Sequence, residues 1–137
     1  MKLNTTSQHA IRIMTYIAKE SEKQFHKAKE ISEVLEIPYK YLSKIMTELV
    51  AANILTSVQG REGGYFISKE AKDIRIKDIL EAVKEPTHDV QCLLGIGACN
   101  ENKKCILHDK WSQPKKSILG MFTNTTLEDI KKNDYKI

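Results

Sequence analysis

Residues 28–52 read AKEISEVLEIPYKYLSKIMTELVAA, and residues 55–68 read LTSVQGREGGYFIS. In the first stretch Ala28, Ile31, Val34 and Leu35 recur at helical spacing and are expected to face inward. Glu36-Ile37-Pro38 reads as a turn, since proline is tolerated in the first turn of a following helix. That helix, about Pro38 to Ala52, would bury Leu42, Ile45, Met46 and Leu49. Its other face offers Tyr39, Lys40, Ser43, Lys44 and Thr47, which can donate to phosphates and base edges. Two short helices joined by a tight turn fit a helix-turn-helix, whose second helix enters a major groove. Short helix pairs are common in all-α proteins, so the pair alone does not decide the fold.

The second stretch does. Leu55–Gln59 and Tyr65–Ser68 read as two strands, with Gly60-Arg61-Glu62-Gly63-Gly64 as the hairpin loop between them. A helix-turn-helix followed at once by a hairpin is the winged-helix order. Gly63 and Gly64 would let the loop backbone approach a phosphate, and Arg61 could probe a narrow minor groove. Lys29, Tyr41 and Gln59 complete the candidate DNA face. An ordinary surface hairpin with solvated charges is the plainer reading. The phosphate-binding loop of an ATPase is not favoured, because no Gly-Lys-Ser/Thr follows.

Outward from this unit, a first helix over about residues 6–20 carries Ala10, Ile11, Ile13, Met14, Ile17 and Ala18 on one stripe, capped by Thr5, Thr6 or Ser7. Another spans Ile76–Lys84 and stops at Pro86. Ile106, Leu107, Trp111, Ile118, Leu119 and Phe122 outline a C-terminal apolar stripe, with a kink or restart expected at Pro114. Thr125-Thr126-Leu127-Glu128 has the form of a capping box. The stripe has two possible partners: its own domain or a second copy. Trp111, Ile118, Leu119 and Phe122 are read as a dimer interface, because two recognition helices related by a two-fold axis read a palindrome. The expected fold is mainly α with a small β-hairpin, a winged helix-turn-helix with a C-terminal dimerisation helix. Its units are residues 1–85 for DNA binding, 86–105 as a loop, and 106–137 as dimerisation helix and tail.

The loop holds the chain's three cysteines, with the pattern C-x6-C-x5-C-x2-H through Cys92, Cys99, Cys105 and His108. Thiolates bind soft metals and iron–sulfur clusters, and imidazole can complete the shell. Gly95, Gly97, Asn100 and Asn102 let the segment curl around something small. Cys3His zinc is permitted by chemistry, although the spacings exceed the tight pairs of most zinc modules. Metal-free thiol sensing and an iron–sulfur carrier are further alternatives. His26 and His88 read as surface or loop histidines, and His9 as a helix residue with no metal role.

The 137 residues fit one domain with an appendage; 41% are hydrophobic and 29% charged, and a net charge of +4 favours an anionic partner. No apolar run reaches a membrane span, and no signal peptide opens the chain, so a cytoplasmic location is expected. An odd number of cysteines in a reducing compartment argues for thiols or metal ligands over disulfides. Nothing places Ser, His and Asp in a nucleophile-base arrangement, so no enzyme is expected.

The opening Met1-Lys2-Leu3, the helix through Tyr41-Leu42, the wing Gly60 to Tyr65, the cysteine triad and the ending Thr125–Asp129 together resemble the IscR/NsrR-type (Rrf-two) winged-helix regulators. The resemblance covers roughly residues 1–130. It implies a homodimeric transcription factor that binds double-stranded promoter DNA and holds an iron–sulfur cluster. Members control cluster assembly, iron homeostasis, or responses to nitric oxide and redox stress. By position, Cys92, Cys99 and Cys105 would be cluster ligands, and His108 matches the histidine ligand of the IscR branch, where the cluster is 2Fe–2S. In the NsrR branch a 4Fe–4S cluster takes an acidic residue from the first helix of the other subunit. Here no acid precedes Glu20, and Gln8 and His9 occupy that region, which favours His108 as fourth ligand over His9 or Gln8 of the partner subunit. The first cysteine spacing is one residue longer than is usual in the IscR branch. Gln59 stands where relatives often carry arginine, and Ser43 and Lys44 differ from the acid and amide groups of relatives.

Overall fold

The structure, a computed structural model, describes residues 3–85, 92–97, 99–134 and 136–137. Helices α1 (Thr5–Lys19), α2 (Ala28–Leu35) and α3 (Tyr39–Ala51) lead into an antiparallel hairpin of β1 (Leu55–Val58) and β2 (Gly64–Ile67). The register pairs Leu55 with Ile67 and Val58 with Gly64. A 3-10 turn, Ala71–Asp73, precedes α4 (Ile76–Ala82), α5 (His108–Asn124) and α6 (Leu127–Lys131). This is the winged helix expected from the sequence, mainly helical with one small sheet.

The core is one apolar cluster. Ile13, Met14, Ile31, Leu42, Ile45, Leu49 and Ile79 are fully buried, so α1, α3 and α4 close on one another through the faces their spacing marked. Val34 is the exception: the sequence aims it inward, yet it is 55% exposed, because the eight residues of α2 turn only Ile31 and Leu35 fully onto the core. Asn4 caps α1 by accepting the Ser7 amide at 2.8 Å, ahead of the three capping residues expected. Tyr16 ties α1 to α2 by donating to Glu30 Oε1 at 2.9 Å; burial first, then that carboxylate, pushes its hydroxyl pKa up to about 12.

Three helices end in the same way without glycine. Glu36, Asn53 and Lys84 adopt left-handed φ of 54°, 58° and 56° after α2, α3 and α4. In each case the next amide returns to a carbonyl in the last helical turn: Ile37 to Ser32, Ile54 to Leu49 and Glu85 to Leu80. Ile37 and Ile54 are buried by the reversal, and that burial offsets the cost of a side chain in the left-handed region. The turn between α2 and α3 is thus set by Glu36 and Ile37. The end of α4 likewise carries such a turn at Lys84 and Glu85; Pro86, read as its stop, lies outside the described residues.

The C-terminal elements fold back on the head. Ile76 donates to the Thr125 carbonyl at 3.0 Å and Leu127 to that of Ile74 at 2.8 Å, seating Leu127 at zero exposure. Phe122, read from the sequence as a dimer contact, is buried in this same core, with Ile118 packed against it. Ile106, read as the start of the apolar stripe, is 90% exposed. α5 does not restart at Pro114 but runs through it; the Lys110 carbonyl that loses its partner lies on an exposed residue where water can serve it. The capping box of α6 uses Thr126 and Asp129, one position later than the sequence pattern indicated.

Candidate functional site

Two surfaces carry the residues singled out by the sequence. The first is built on α3 and the wing. Tyr39, Lys40 and Lys44 are exposed on α3, and Ser43 is half-buried. Thr47 is exposed and turns its hydroxyl onto the Ser43 carbonyl at 2.9 Å. A groove of about 270 Å³ brings Lys27 and Lys29 at the start of α2, Tyr39 at the start of α3, and Gln59 of the wing to one place. Arg61 is exposed at the wing tip, where its carbonyl accepts from Lys27 Nζ at 2.7 Å. The structure therefore gathers Lys29, Tyr39, Gln59 and the wing, and it adds Lys27, an anchor that no local pattern marked.

Tyr41 does not join this face. Its hydroxyl bonds Thr6, and its ring meets His9 edge-on at 5.5 Å, so it packs α3 against α1. Gly63 and Gly64 also have structural duties. A Cβ on Gly63 would stand 2.0 Å from the Val58 carbonyl oxygen, and one on Gly64 2.8 Å from that of His26. The glycines thus let the hairpin close on itself and on its neighbour.

That neighbour is His26, which forms a one-residue bridge to Tyr65 through bonds of 2.9 and 2.8 Å and so extends the wing sheet. Far from lying on the surface, His26 is 2% exposed with its Nδ1 unpartnered among the described residues, and burial holds its pKa below the usual range. His9 is held down too, by burial and then by Arg12, whose guanidinium lies 3.3 Å from its Nδ1. Gln8 donates to the Leu3 carbonyl. His88 lies outside the described residues.

The second surface is a cavity of about 380 Å³ at the start of α5, lined by Cys92, Cys99, Cys105 and His108. All three cysteines are free. The segment is shaped by local devices. Gly95 and Gly97 take φ of +69° and +94°, the Cys92 amide bonds the Gly97 carbonyl at 3.1 Å, and the Asn100 side chain accepts the amides of Asn102 and Lys103. The His108 amide returns to the Cys105 carbonyl at 3.0 Å, which fixes that cysteine to the helix start.

Hydrogen bonding lowers the pKa of the Cys92 thiol. A hydrogen bond from the Leu94 backbone lowers its pKa most; Cys105 and the backbone of Ile96 and Gly95 add to this against burial. His108, 7% exposed, lies with Nδ1 3.6 Å from Cys99 Sγ and Nε2 3.3 Å from Glu101 Oε1. The ring thus lies between a carboxylate and a sulfur, with one nitrogen facing each. His108 first, then Lys104, lowers the pKa of Glu101. Glu101 is a site residue that sequence spacing did not reveal. Among the described residues, no three His, Cys, Asp or Glu side chains converge tightly enough for a single metal ion. The donor set, the cavity and the amide-rich turn nonetheless suit a larger thiolate-bound group.

Trp111, Ile118 and Leu119 are partly buried on α5, and the buried indole Nε1 of Trp111 lacks a hydrogen-bond partner among the described residues. No helix among the described residues is long and apolar enough to cross a membrane.

Comparison with known proteins places these surfaces in context. Residues 3–133 match the Rrf2 family, described as an iron-dependent transcriptional regulator. An HTH-type transcriptional regulator of Aquifex aeolicus is 33% identical over 95% of this chain and 91% of its own. The regulator IscR of Klebsiella pneumoniae is 29% identical over 97% of this chain and 81% of its own. Among solved structures, CymR, the global cysteine regulator of B. subtilis, superposes with a TM-score of 0.82 at 23% identity, over 96% of this chain and 97% of that one.

Proposed function

This chain belongs to the Rrf2 family of winged-helix transcriptional regulators, which bind DNA and are not enzymes, and from that premise we propose a cluster-sensing regulator. In this reading a homodimer binds palindromic promoter DNA. Lys40, Ser43 and Lys44 of α3 face the major groove, with Tyr39, Lys27 and Lys29 beside it and Arg61 of the wing at the minor groove. Cys92, Cys99, Cys105 and His108 hold an iron–sulfur cluster, 2Fe–2S in preference to 4Fe–4S. The observation that carries the reading is that those four side chains line one cavity.

When bound, the cluster supplies a redox-active, nitric-oxide-reactive core held by thiolates. The chain's own residues do the rest. Backbone hydrogen bonds around Leu94 lower the pKa of Cys92, and Glu101 orients the His108 ring. Cys105 and His108 tie the site to the first turn of α5. Closure of this segment would set how α5, with Trp111, Ile118 and Leu119, meets its counterpart in a second copy. That in turn would set the spacing of two α3 helices. A bias of about 1–3 kcal/mol between two arrangements changes operator affinity roughly 5- to 150-fold.

The lowered thiol pKa of Cys92 beside Cys105 supports a second reading, in which the thiols sense oxidants without metal. Zinc is less favoured, because a single tetrahedral ion needs its ligands around one point. Iron and sulfide analysis of anaerobically purified protein separates these readings. The cluster reading expects coloured, iron-containing dimers whose affinity for the upstream region differs between loaded and cluster-free forms. Colourless, iron-free protein that still binds that DNA tightly would overturn it.

A further inference from the structure

Two side-chain hydrogen bonds meet on the first turn of α1. Ser7, at zero exposure, donates its hydroxyl to Glu85 Oε2. The adjacent Thr6 bonds the hydroxyl of Tyr41. Their partners belong to the two surfaces described above. Glu85 follows the left-handed Lys84 at the end of α4 and stands seven positions before Cys92 in the sequence. Tyr41 lies in the opening turn of α3, next to Lys40 and two residues from Ser43.

We infer that Ser7 and Glu85 are positioning residues, which couple the entry to the cysteine segment with the DNA-reading end of α3 through one turn of α1. The physical grounds are three. A hydroxyl buried as deeply as that of Ser7 must keep a partner, so Glu85 and α1 move together or the contact breaks. The carboxylate is held further by the positive end of the α1 dipole, where Asn4 fixes the turn by capping the Ser7 amide at 2.8 Å. Thr6 and Ser7 are consecutive in a helix, so displacement at one is felt at the other without slack. His9, edge-on to Tyr41, stiffens the same contact from the next turn. The inference rests on the proposed function in taking the cysteine cavity as the regulatory site.

Hydrogen–deuterium exchange on cluster-free protein tests the link without any cluster. Glu85→Ala and Ser7→Ala should each speed amide exchange in the opening turn of α3 several-fold and leave the β1–β2 hairpin unchanged. Glu85→Gln, which keeps an acceptor oxygen, should restore the wild-type rate, and Tyr41→Phe should reproduce the faster one. Unchanged exchange in α3 of Glu85→Ala would overturn the inference.

Operator titrations of loaded and cluster-free protein give a second readout. The wild-type ratio, roughly 5 to 150, should fall below about 2 in Glu85→Ala and Tyr41→Phe. A wild-type ratio retained in both variants would end the positioning role and leave the regulatory reading standing. Equal wild-type affinities would remove that reading, and this inference with it.

Discussion

In the winged head, Ile13, Leu42, Ile45 and Leu49 are at zero exposure, whereas Leu93, Leu94, Ile96 and Ile106 of the cysteine segment are 46, 47, 70 and 90% exposed. The head holds its shape by removing apolar surface from water. The segment from Cys92 to Leu107 has glycine turns, an Asn100 side-chain turn and ion pairs of exposed Lys104 with Glu101 and Asp109, at 3.4 and 3.0 Å. Exposed pairs of this kind contribute little stability. The contrast teaches that the head is specified by its own packing, while the segment has no comparable apolar packing of its own.

The largest effect that would sharpen this contrast is on folding. Leu42→Ala should lower unfolding free energy by about 2–5 kcal/mol, while Ile106→Ala should stay within about 0.5 kcal/mol. Urea denaturation measures both, and similar losses would break the distinction. Next comes the cluster. Cys105→Ser should abolish iron retention and erase the difference in operator affinity between loaded and cluster-free forms, with the melting temperature of the cluster-free head unchanged. Iron assay, gel-shift and thermal denaturation check these in turn.

A smaller effect concerns the DNA face. Lys44→Ala should lessen the slope of log affinity against log salt by about one unit, and Tyr39→Phe should leave that slope alone. Parallel titrations across a salt series decide it.

The smallest is a pH effect confined to the head. His26 is buried with a pKa below its ordinary 6.5, so the unfolded chain binds the proton more readily. Its contribution to stability is complete above pH 6.5 and is lost as pH falls through the lower folded value. Melting temperatures taken from about pH 7.5 to 5 should therefore decline less steeply in His26→Gln than in wild type. Parallel curves would show that Glu30 and Glu20, which favour the charged imidazole, compensate for its burial.

How legible each region was follows from the same contrast. The helices of the head were readable because Ile13, Leu42 and Ile79 repeat at a spacing that only a helix turns to one side. The helix ends were less so: Glu36, Asn53 and Lys84 carry no glycine signal, and their left-handed turns are stabilised by burial of neighbours such as Ile37 and Ile54. Tyr41 sits at the margin of a stripe, where a rotation of a few tens of degrees separates the DNA face from α1. For the cysteine cavity, residue types and spacing named Cys92, Cys99, Cys105 and His108. Glu101 was invisible, since its relation to His108 exists only once the segment curls.

By itself, then, the sequence determined the order of helices and wing, the basic face of α3 and which cysteines and histidine line the cavity. These depend on local periodicity and on the chemistry of side chains. Only the tertiary structure decided that His26 extends the wing sheet, that Gly63 and Gly64 serve the hairpin's own closure, and that Phe122 and Leu127 complete the head's core. It alone also decided that Ser7 meets Glu85 on the turn that holds Tyr41. Each of these joins residues far apart in the chain, and such contacts form only when burying the whole apolar surface brings the elements together.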